Sequence, residues 1–220
     1  MNSKFVRLAM TLLTSIPLWL CLLFVHFKSN ETVRKGVGES MAPTIKNTSF
    51  TKDQMIDRGT YLPKYGDVVA YQVVVDEQEI EGNTKRVVGL PGDTVLLDKG
   101  KLFINGNPVF DKVVGENDTY VFFREKFEDV EYHVQYRKDS PLLMNSYPEW
   151  LVPENHLFTL GDNRGYALDS MDPNHGYVPI DGVYLKTKEV LFNLVSAEGG
   201  RQFKCSVYSV TENTPYTSRC

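Results

Sequence analysis

The sequence lacks the motifs of several common classes of protein. It has 3 cysteines among 220 residues, and its Cys and His residues do not have the close spacing of a structural zinc site. A glycine-rich phosphate loop is absent as well, which argues against a nucleotide cofactor. Lys and Arg number 24 against 28 Asp and Glu, and the resulting net charge of −4 disfavours nucleic-acid binding. We therefore expect no metal, no cofactor and no nucleic-acid partner.

Only one apolar run is long enough to cross a membrane. Residues 8–27 contain no Asp, Glu, Lys or Arg, and a helix of about 20 residues spans the roughly 30 Å hydrocarbon core of a bilayer. A cleaved signal peptide is the alternative, because Lys4 and Arg7 precede the run, but no small-x-small cleavage site follows it. Positive charges on both sides leave the orientation undecided. We predict a tail at 1–7, a transmembrane anchor at 8–27 and one further domain at 28–220.

The three cysteines differ in their surroundings. Cys21 lies in the apolar run, where it acts as a small hydrophobic residue, whereas Cys205 and Cys220 lie near the C-terminus. The C-terminal two form a disulfide if that end faces an oxidising compartment, and otherwise they remain free thiols. A bridge closing so short a loop contributes about 3 kcal/mol in the chain-entropy description.

Beyond the apolar run, long amphipathic helical periods are absent, and short β-type segments separated by turn residues take their place. The turn residues include Pro91-Gly92 and Asn105-Gly106, which suit tight turns. The predicted strands are Asp67–Val75, Lys85–Gly89, Thr94–Leu97, Lys101–Ile104, Val130–Tyr136, His156–Leu160 and Gly182–Val195. We predict a mainly β domain of antiparallel sheets.

Residues 111–150 differ in character from the segments on either side. They are rich in charged and aromatic residues and poor in turn residues. We interpret them as an insertion between core strands. The chain shows no internal repeat and no low-complexity tract.

A candidate nucleophile lies shortly after the apolar run, in residues 36–45, Gly-Val-Gly-Glu-Ser-Met-Ala-Pro-Thr-Ile. Ser40 in this segment would be well placed for substrates that lie in a membrane, although an ordinary turn serine has the same local sequence. A Ser-His-Asp arrangement has little support. The Gly-x-Ser-x-Gly elbow is absent, and His133, His156 and His175 carry no signature of their own.

A lysine is the other possible base. The ordinary pKa of a lysine is near 10.4, so burial must lower it before the amine can accept a proton at neutral pH. Lys85 is the best candidate, because it begins Lys-Arg-Val-Val-Gly-Leu-Pro-Gly-Asp on a strand that is otherwise largely apolar. From this segment alone, an exposed lysine on an edge strand is the alternative.

A third segment of interest is residues 161–172, Gly-Asp-Asn-Arg-Gly-Tyr-Ala-Leu-Asp-Ser-Met-Asp. Its carboxylates do not have the spacing of a calcium-binding EF-hand loop. Long polar loops often position functional groups, so we include this segment among the candidate site elements.

Four segments, in this order, resemble bacterial type I signal peptidase, the membrane-anchored Ser/Lys protease that removes signal peptides. They are Ser-Met-Ala-Pro-Thr-Ile at 40–45, Gly-Asp-Val-Val-Ala-Tyr at 66–71, the nine residues at 85–93 and Gly-Asp-Asn-Arg at 161–164. The resemblance runs from the anchor to about Val195, and the nine-residue segment is the most specific part of it.

The resemblance implies roles for individual residues. Ser40 corresponds to the nucleophile, whose backbone N–H contributes to the oxyanion hole, and Lys85 corresponds to the general base. Arg86 and Asp162 match a pair that forms a supporting salt bridge in the family. The remaining supporting or structural positions are Gly38, Met41, Asn163, Asp169 and Ser170.

Three positions depart from the family pattern. Ala167 stands where many members have a serine that hydrogen-bonds the catalytic lysine, and Met171 stands where many have an arginine. Gly38 has no hydroxyl to offer to the oxyanion hole, where loss of one donor costs about 10²–10³ in rate in other proteases. Lys85 must therefore be oriented by another group, and Ser170 or a water molecule is our candidate.

The resemblance also implies a function. It indicates a serine endopeptidase of the bacterial cytoplasmic membrane, with its catalytic domain on the extracytoplasmic side, that cleaves signal peptides from preproteins after small residues of the Ala-x-Ala type. Such an enzyme requires no cofactor. Two alternatives stay open: a maturation peptidase dedicated to a conjugative pilin or a similar single substrate, and a non-catalytic anchored β-domain that binds exported proteins.

Overall fold

The computed structural model describes residues 30–75, 78–197 and 200–210, and it describes the side chains of these residues except in 73–82 and 194–209. The predicted anchor at 8–27 and the cysteines Cys21 and Cys220 lie outside this part of the chain, and so does the side chain of Cys205. Among the described residues, no helix is long and apolar enough to cross a membrane.

Strands make up nearly all of the regular structure in the described residues. In chain order they are β1 (Glu31–Lys35), β2 (Ser49–Met55), β3 (Val68–Val75), β4 (Gln78–Gly89), β5 (Thr94–Asp98), β6 (Lys101–Ile104), β7 (Asn107–Pro108), β8 (Phe110–Glu116), β9 (Tyr120–Phe127), β10 (Val130–Arg137), β11 (Trp150–Leu151), β12 (His156–Leu160), β13 (Asn163–Arg164), β14 (Val178–Pro179), β15 (Val183–Ala197) and β16 (Gly200–Ser209). Two 3₁₀ helices, Pro141–Leu143 and Ile180–Gly182, have three residues each.

The largest sheet has eight strands and carries the candidate site. Its order is β1-β2-β15-β3-β4-β12-β14, and β16 pairs with β15. The pairings of β15 with β2, β3 and β16 are antiparallel, as are those of β4 with β3 and β12. The prediction of a mainly β domain with antiparallel sheets is therefore confirmed.

Two smaller sheets have four strands each, in the orders β13-β10-β9-β8 and β11-β5-β6-β7. Strands β8 to β10 lie almost entirely within 111–150, whose interpretation as an insertion stays a prediction. The short strand β13 pairs in parallel with β10, so that Asn163 lies opposite Gln135 and Arg164 opposite Tyr136. This pairing joins the Gly-Asp-Asn-Arg segment to the sheet formed by β8, β9 and β10.

The strand predictions agree with the structure best where turn chemistry is local. Strand β6 has the predicted bounds, and the Asn105-Gly106 turn after it has positive φ at both residues, 51° and 74°, as a type I′ hairpin turn requires. Strand β4 is longer than predicted, because it begins at Gln78 and not at Lys85. Strands β1, β2, β8, β9 and β16 were not predicted, and neither were the two-residue strands β7, β11, β13 and β14.

Strand β4 lies in the interior of the large sheet and is buried on both faces near its end. Residues 85–89 are all buried, and successive side chains of a strand point to opposite faces. Val87 packs in a cluster with Tyr71 and Leu157, whereas Val88 packs in another cluster with Phe158. Lys85 and Arg86 therefore enter two different buried environments.

Gly66, which precedes β3 by two residues, packs against Val130 at the start of β10. Gly66 has φ +78°, and a Cβ at this position would collide with the side chain of Val130. We expect Gly66→Ala to lower the free energy of unfolding by about 1–2 kcal/mol through the left-handed backbone, and by about 1–3 kcal/mol more through overpacking. Chemical denaturation would measure the sum.

Gly106→Ala is the matched control for this prediction. Gly106 has a similar φ of +74°, but an added Cβ would meet no atom within 4 Å, so only the backbone cost applies. Equal losses of stability in the two variants would show that Val130 accommodates the methyl group and would contradict the prediction.

Candidate active site

Ser40 lies in a turn between β1 and β2 that is anchored by its neighbours. The Ile45 N–H donates to the Met41 carbonyl at 2.8 Å, and the side chains of Met41 and Ile45 are buried in a hydrophobic cluster with Val68 and Val190. Because Met41 fastens the turn to the core, the adjacent Ser40 is held half-buried at the protein surface.

The structure brings the predicted nucleophile and the predicted base together. The Lys85 side chain is almost completely buried, with 2% of its surface exposed. Its Nζ lies 3.4 Å from Ser40 Oγ, 3.1 Å from the Thr84 carbonyl oxygen and 2.5 Å from Asn83 Oδ1. A separation of 3.4 Å is long for a hydrogen bond, but catalytic hydrogen bonds often shorten only when substrate binds.

Burial lowers the pKa of Lys85 to about 8, although the negative charges of Asp169 and Asp162 act to raise it. At pH 7 about a tenth of such lysines are neutral, compared with roughly 0.03% for a lysine of ordinary pKa. The burial of Lys85 therefore increases the fraction of neutral amine, which is the form that can accept a proton at neutral pH.

Asp169 is held by backbone amides. Its carboxylate accepts hydrogen bonds from the Gly161 N–H at 3.0 Å and the Met171 N–H at 3.2 Å. Burial raises the pKa of Asp169, and these two amides and the charge of Lys85 oppose the rise. The two backbone amides thus each bind one oxygen of the Asp169 carboxylate.

Arg86 points to the opposite face of β4 and forms a two-point ion pair with Asp162. The Nε–Oδ1 and Nη2–Oδ2 distances are 2.8 and 2.7 Å, and both side chains are fully buried. Arg86 Nη1 also donates to the carbonyls of Gly66 and Val210, and Thr44 Oγ1 donates to Asp162. Burial by itself lowers the pKa of Arg86, but Asp162 raises it above its ordinary value.

Asn163 connects this ion pair to the Ser40 turn. Its backbone N–H donates to the Ser40 carbonyl at 3.0 Å, and its Nδ2 donates to the Glu39 carbonyl, also at 3.0 Å. Gly161 allows the close approach, because a Cβ there would lie 2.6 Å from the Ser40 carbonyl oxygen. The 161–163 segment thus holds the Ser40 turn through its carbonyl groups.

The backbone N–H of Ser40 remains available to a ligand. Within the described part of the chain it donates a hydrogen bond to no other residue. Gly38, two residues earlier, has φ +89° and no side chain that reaches the same place. A developing negative charge beside Ser40 Oγ would therefore meet the Ser40 N–H.

Arg164, the last residue of the Gly-Asp-Asn-Arg segment, forms a second buried ion pair, with Glu125. Its Nη1 and Nη2 donate to Glu125 Oε1 and Oε2 at 2.8 and 2.6 Å, and both side chains are 1% exposed. Glu125 belongs to β9, so this ion pair joins the motif to the sheet of β8, β9 and β10. The sequence indicated no partner for Arg164, because no local spacing links it to Glu125.

The structure does not place Ser170 on Lys85. Ser170 Oγ accepts a hydrogen bond from the Thr159 N–H at 2.9 Å and lies 3.4 Å from Thr159 Oγ1. Among the described residues, the side chains that hydrogen-bond with Lys85 Nζ are those of Ser40 and Asn83. Residues two apart on a strand share a face, but the predicted strand began at Lys85, so the prediction left Asn83 outside it.

A cavity of about 350 Å³ opens beside Ser40, and both apolar and polar side chains line it. Val37 and Met41 contribute apolar surface, whereas Arg34, Asn83 and Thr84 contribute polar groups. Arg34 is itself held by hydrogen bonds to Asp53 and Thr84. In residues 30–75, 78–197 and 200–210, no group of three His, Cys, Asp or Glu side chains is arranged to hold a metal ion.

The buried ion pair predicts a large effect of one substitution on stability. Asp162→Asn should lower the free energy of unfolding by about 3 kcal/mol, because Arg86 remains buried without a countercharge. Chemical denaturation of the full chain would measure the change. Asp139→Asn is the control, because Asp139 forms an exposed ion pair with Arg137. The Asp139 side chain is 70% exposed and the Arg137 side chain 56%, so we expect no measurable change in the free energy of unfolding. Comparable losses in the two variants would contradict the prediction.

Comparison with known proteins places the chain in a family. The family model described as "Signal peptidase, peptidase S26" matches residues 6–192. Signal peptidase I of Pseudomonas aeruginosa is 34% identical over an alignment of 157 residues, and the match covers 64% of this chain and 55% of that protein. Signal peptidase I of Bacillus amyloliquefaciens is 31% identical over 134 residues, which are 60% of this chain and 61% of that protein. The chain thus spans less than two thirds of the length of either relative.

Among solved structures, signal peptidase I from Enterococcus faecalis V583 is 27% identical and covers 56% of this chain and 94% of that chain, with a TM-score of 0.33. A TM-score of this size is too low to establish a common fold. The match of the family model extends over most of the 220 residues. The chain therefore belongs to the signal peptidase family, peptidase S26.

Proposed function

We propose that this protein is a membrane-anchored serine endopeptidase that removes signal peptides from exported preproteins, with Ser40 as its nucleophile and Lys85 as its general base. The observation that carries the proposal is the 3.4 Å approach of the buried Lys85 Nζ to Ser40 Oγ beside an open cavity. Membership of the signal peptidase family supports the class of reaction and of substrate.

In the first step, Ser40 Oγ attacks the carbonyl carbon of the scissile peptide bond while the neutral Lys85 amine accepts the Ser40 proton. The carbonyl oxygen gains a negative charge, which the Ser40 N–H stabilises as an oxyanion donor. The carbon–nitrogen bond then breaks, and the Lys85 ammonium gives its proton to the leaving amine. The products are the released amine and an ester on Ser40.

In the second step, a water molecule attacks the ester carbonyl and Lys85 accepts its proton. The carbon–oxygen bond to Ser40 breaks, the proton on Lys85 returns to Ser40 Oγ, and the peptide leaves with a new carboxylic acid, which releases its proton to water. One proton passes through Lys85 in each half of the cycle. The proposed steps use no metal and no cofactor.

The supporting residues have distinct roles in this proposal. Asn163 and Met41 hold the Ser40 turn, the Arg86–Asp162 pair holds the strand that bears Lys85, and Asp169 acts through its charge. Gly38 borders the oxyanion position without a side chain, and Ser170 fastens the loop to β12.

The proposed placement follows from the chain order. Residues 8–27 would anchor the protein in the bacterial cytoplasmic membrane, and 28–220 would form the catalytic domain on the extracytoplasmic side. Ser40 would then lie close to the bilayer, where translocated preproteins emerge. Family membership supports substrates with small residues before the cleaved bond, of the Ala-x-Ala type.

A second candidate function is a maturation peptidase with a single dedicated substrate. The polar side of the cavity favours it, because Arg34 and Thr84 offer polar groups to a substrate that carries polar side chains. Cleavage of one member only in a panel of signal peptides would favour this candidate. The approach of Lys85 to Ser40 argues against the non-catalytic alternative.

Substitution of the two central residues tests the proposed chemistry. In detergent, Ser40→Ala and Lys85→Ala of the full chain should each lower kcat/KM for a preprotein at least 1000-fold, since removal of a nucleophile or its base abolishes the step that both serve. Circular dichroism should show an unchanged fold. Ser146→Ala and Lys138→Ala, which change exposed residues of the same types, are the controls. Full activity of Lys85→Ala would eliminate the proposed mechanism.

The pH dependence gives a separate prediction. Because Lys85 must be neutral to act and its pKa is about 8, kcat/KM should rise about tenfold per pH unit below pH 8 and level off above it. A lysine of ordinary pKa would give a rate that continues to rise to about pH 10.4. Initial rates of cleavage between pH 6 and 10 would distinguish the two, and a continued rise through pH 9 and 10 would contradict the assignment.

A further inference from the structure

The amine of Lys85 has three hydrogen-bonding neighbours, and two of them are carbonyl oxygens. Asn83 Oδ1 lies at 2.5 Å and the Thr84 carbonyl oxygen at 3.1 Å, whereas the third neighbour is the Ser40 hydroxyl at 3.4 Å. A carbonyl oxygen only accepts hydrogen bonds, but a hydroxyl both donates and accepts. The three contacts are therefore not equivalent.

This difference determines where the lone pair of the neutral amine points. A neutral lysine has two N–H bonds and one lone pair, so the two carbonyl oxygens take both N–H bonds. The lone pair is left for the third neighbour, Ser40 Oγ, from which the amine must accept a proton. If Asn83 Oδ1 were absent, one N–H would be free to turn toward Ser40 and the lone pair would turn away.

We propose that Asn83 is the positioning residue that aims the lone pair of Lys85 at Ser40. This inference rests on the proposed Ser/Lys chemistry and adds to it a residue that acts through Lys85. In this chain Asn83 takes the orienting role that Ala167, which has no hydrogen-bonding group, cannot perform.

No other side chain in the described part of the chain competes for this role. Ala167 has no hydrogen-bonding group, and Ser170 Oγ is held by the Thr159 N–H. The two carboxylate oxygens of Asp169 accept from backbone amides. Among the described residues, the hydrogen bonds of Lys85 Nζ are those to Asn83, Thr84 and Ser40.

The strand geometry explains why Asn83 reaches the amine. Asn83 precedes Lys85 by two residues on β4, so their side chains share a face. The pairing with β3 shifts directly beyond Asn83, because Tyr71 pairs with Asn83 whereas Val73 pairs with Ile80. Strand β4 thus has one more residue than β3 in this interval, and such a bulge redirects neighbouring side chains.

The neutrality of the amide is also important. A carboxylate in the same place would form an ion pair with the ammonium form and favour it. An amide oxygen binds an N–H of the neutral amine as well. Asn83 therefore orients Lys85 without the additional negative charge that would make the amine a poorer base at neutral pH.

Three variants of the full chain in detergent test the proposal. Asn83→Asp introduces a charge at the contact, Asn83→Ala removes the contact, and Asn107→Ala makes the same truncation at an exposed asparagine outside the cavity. Two quantities are measured for each: kcat and KM for a signal peptide between pH 6 and 10, and the pKa of the Lys85 amine. The latter comes from pH-dependent labelling with an amine-reactive reagent read by mass spectrometry, which does not require turnover.

We expect Asn83→Asp to move both the labelling pKa and the ascending limb of the rate profile upward by at least 1 pH unit. Asn83→Ala should lower kcat on the high-pH plateau at least 10-fold and leave KM within about twofold, because the amine loses its orientation and not its substrate. Asn107→Ala should match the parent protein in every measurement.

An unshifted labelling pKa in Asn83→Asp, or an unchanged plateau kcat in Asn83→Ala, would overturn the positioning role while the Ser40 and Lys85 assignments stand. If the parent protein cleaves no signal peptide, the proposed function fails instead. In that case the labelling pKa of Lys85 still tests the contact between Asn83 and the amine. A shifted labelling pKa in Asn83→Asp supports the contact, and an unshifted one overturns it.

Discussion

The buried ion pair between Arg86 and Asp162 is the contact on which the rest of the site depends. Arg86 extends from the central strand β4, and Asp162 begins the loop that holds the Ser40 turn and Arg164. The pair also gathers the Thr44 hydroxyl and two backbone carbonyls. Replacing such a pair by apolar residues often costs little, whereas removing one partner costs much. Its value here is therefore geometric, since it sets the positions of three separate chain segments.

The same strand accounts for the chemistry on its other face. Burial lowers the pKa of Lys85 from 10.5 to about 8, and below pH 8 this shift costs roughly 3 kcal/mol of folding stability, because the unfolded chain binds the proton more tightly. The cost fades between pH 8 and 10.5, where the unfolded state still carries the proton. The burial that makes the amine of Lys85 reactive thus lowers the folding stability. The hydrophobic clusters on both faces of β4 offset this loss.

Local patterns predicted some strands and missed others for identifiable reasons. Strands β6 and β12 have the predicted bounds, because each is a short, largely apolar run with turn residues beside it. Strand β8 is exposed along most of its length, so it lacks the apolar alternation by which a strand is recognised. Strand β1 is a short edge strand with every second residue exposed. Such strands are defined by their pairing partners, which lie far away in the sequence.

The sequence by itself determined the chemical groups and their order: a serine after an apolar run, a Lys-Arg pair on an apolar strand, and a Gly-Asp-Asn-Arg loop. The alternation of a strand already separates Lys85 from Arg86, whereas Asn83 precedes the predicted strand and joins it only in the structure. Only the tertiary structure decided that Lys85 meets Ser40, that Asn83 and not Ser170 contacts its amine, and that Arg164 pairs with Glu125. The reason is physical, because a pKa shift and a long-range ion pair depend on which distant segments exclude water from the same place.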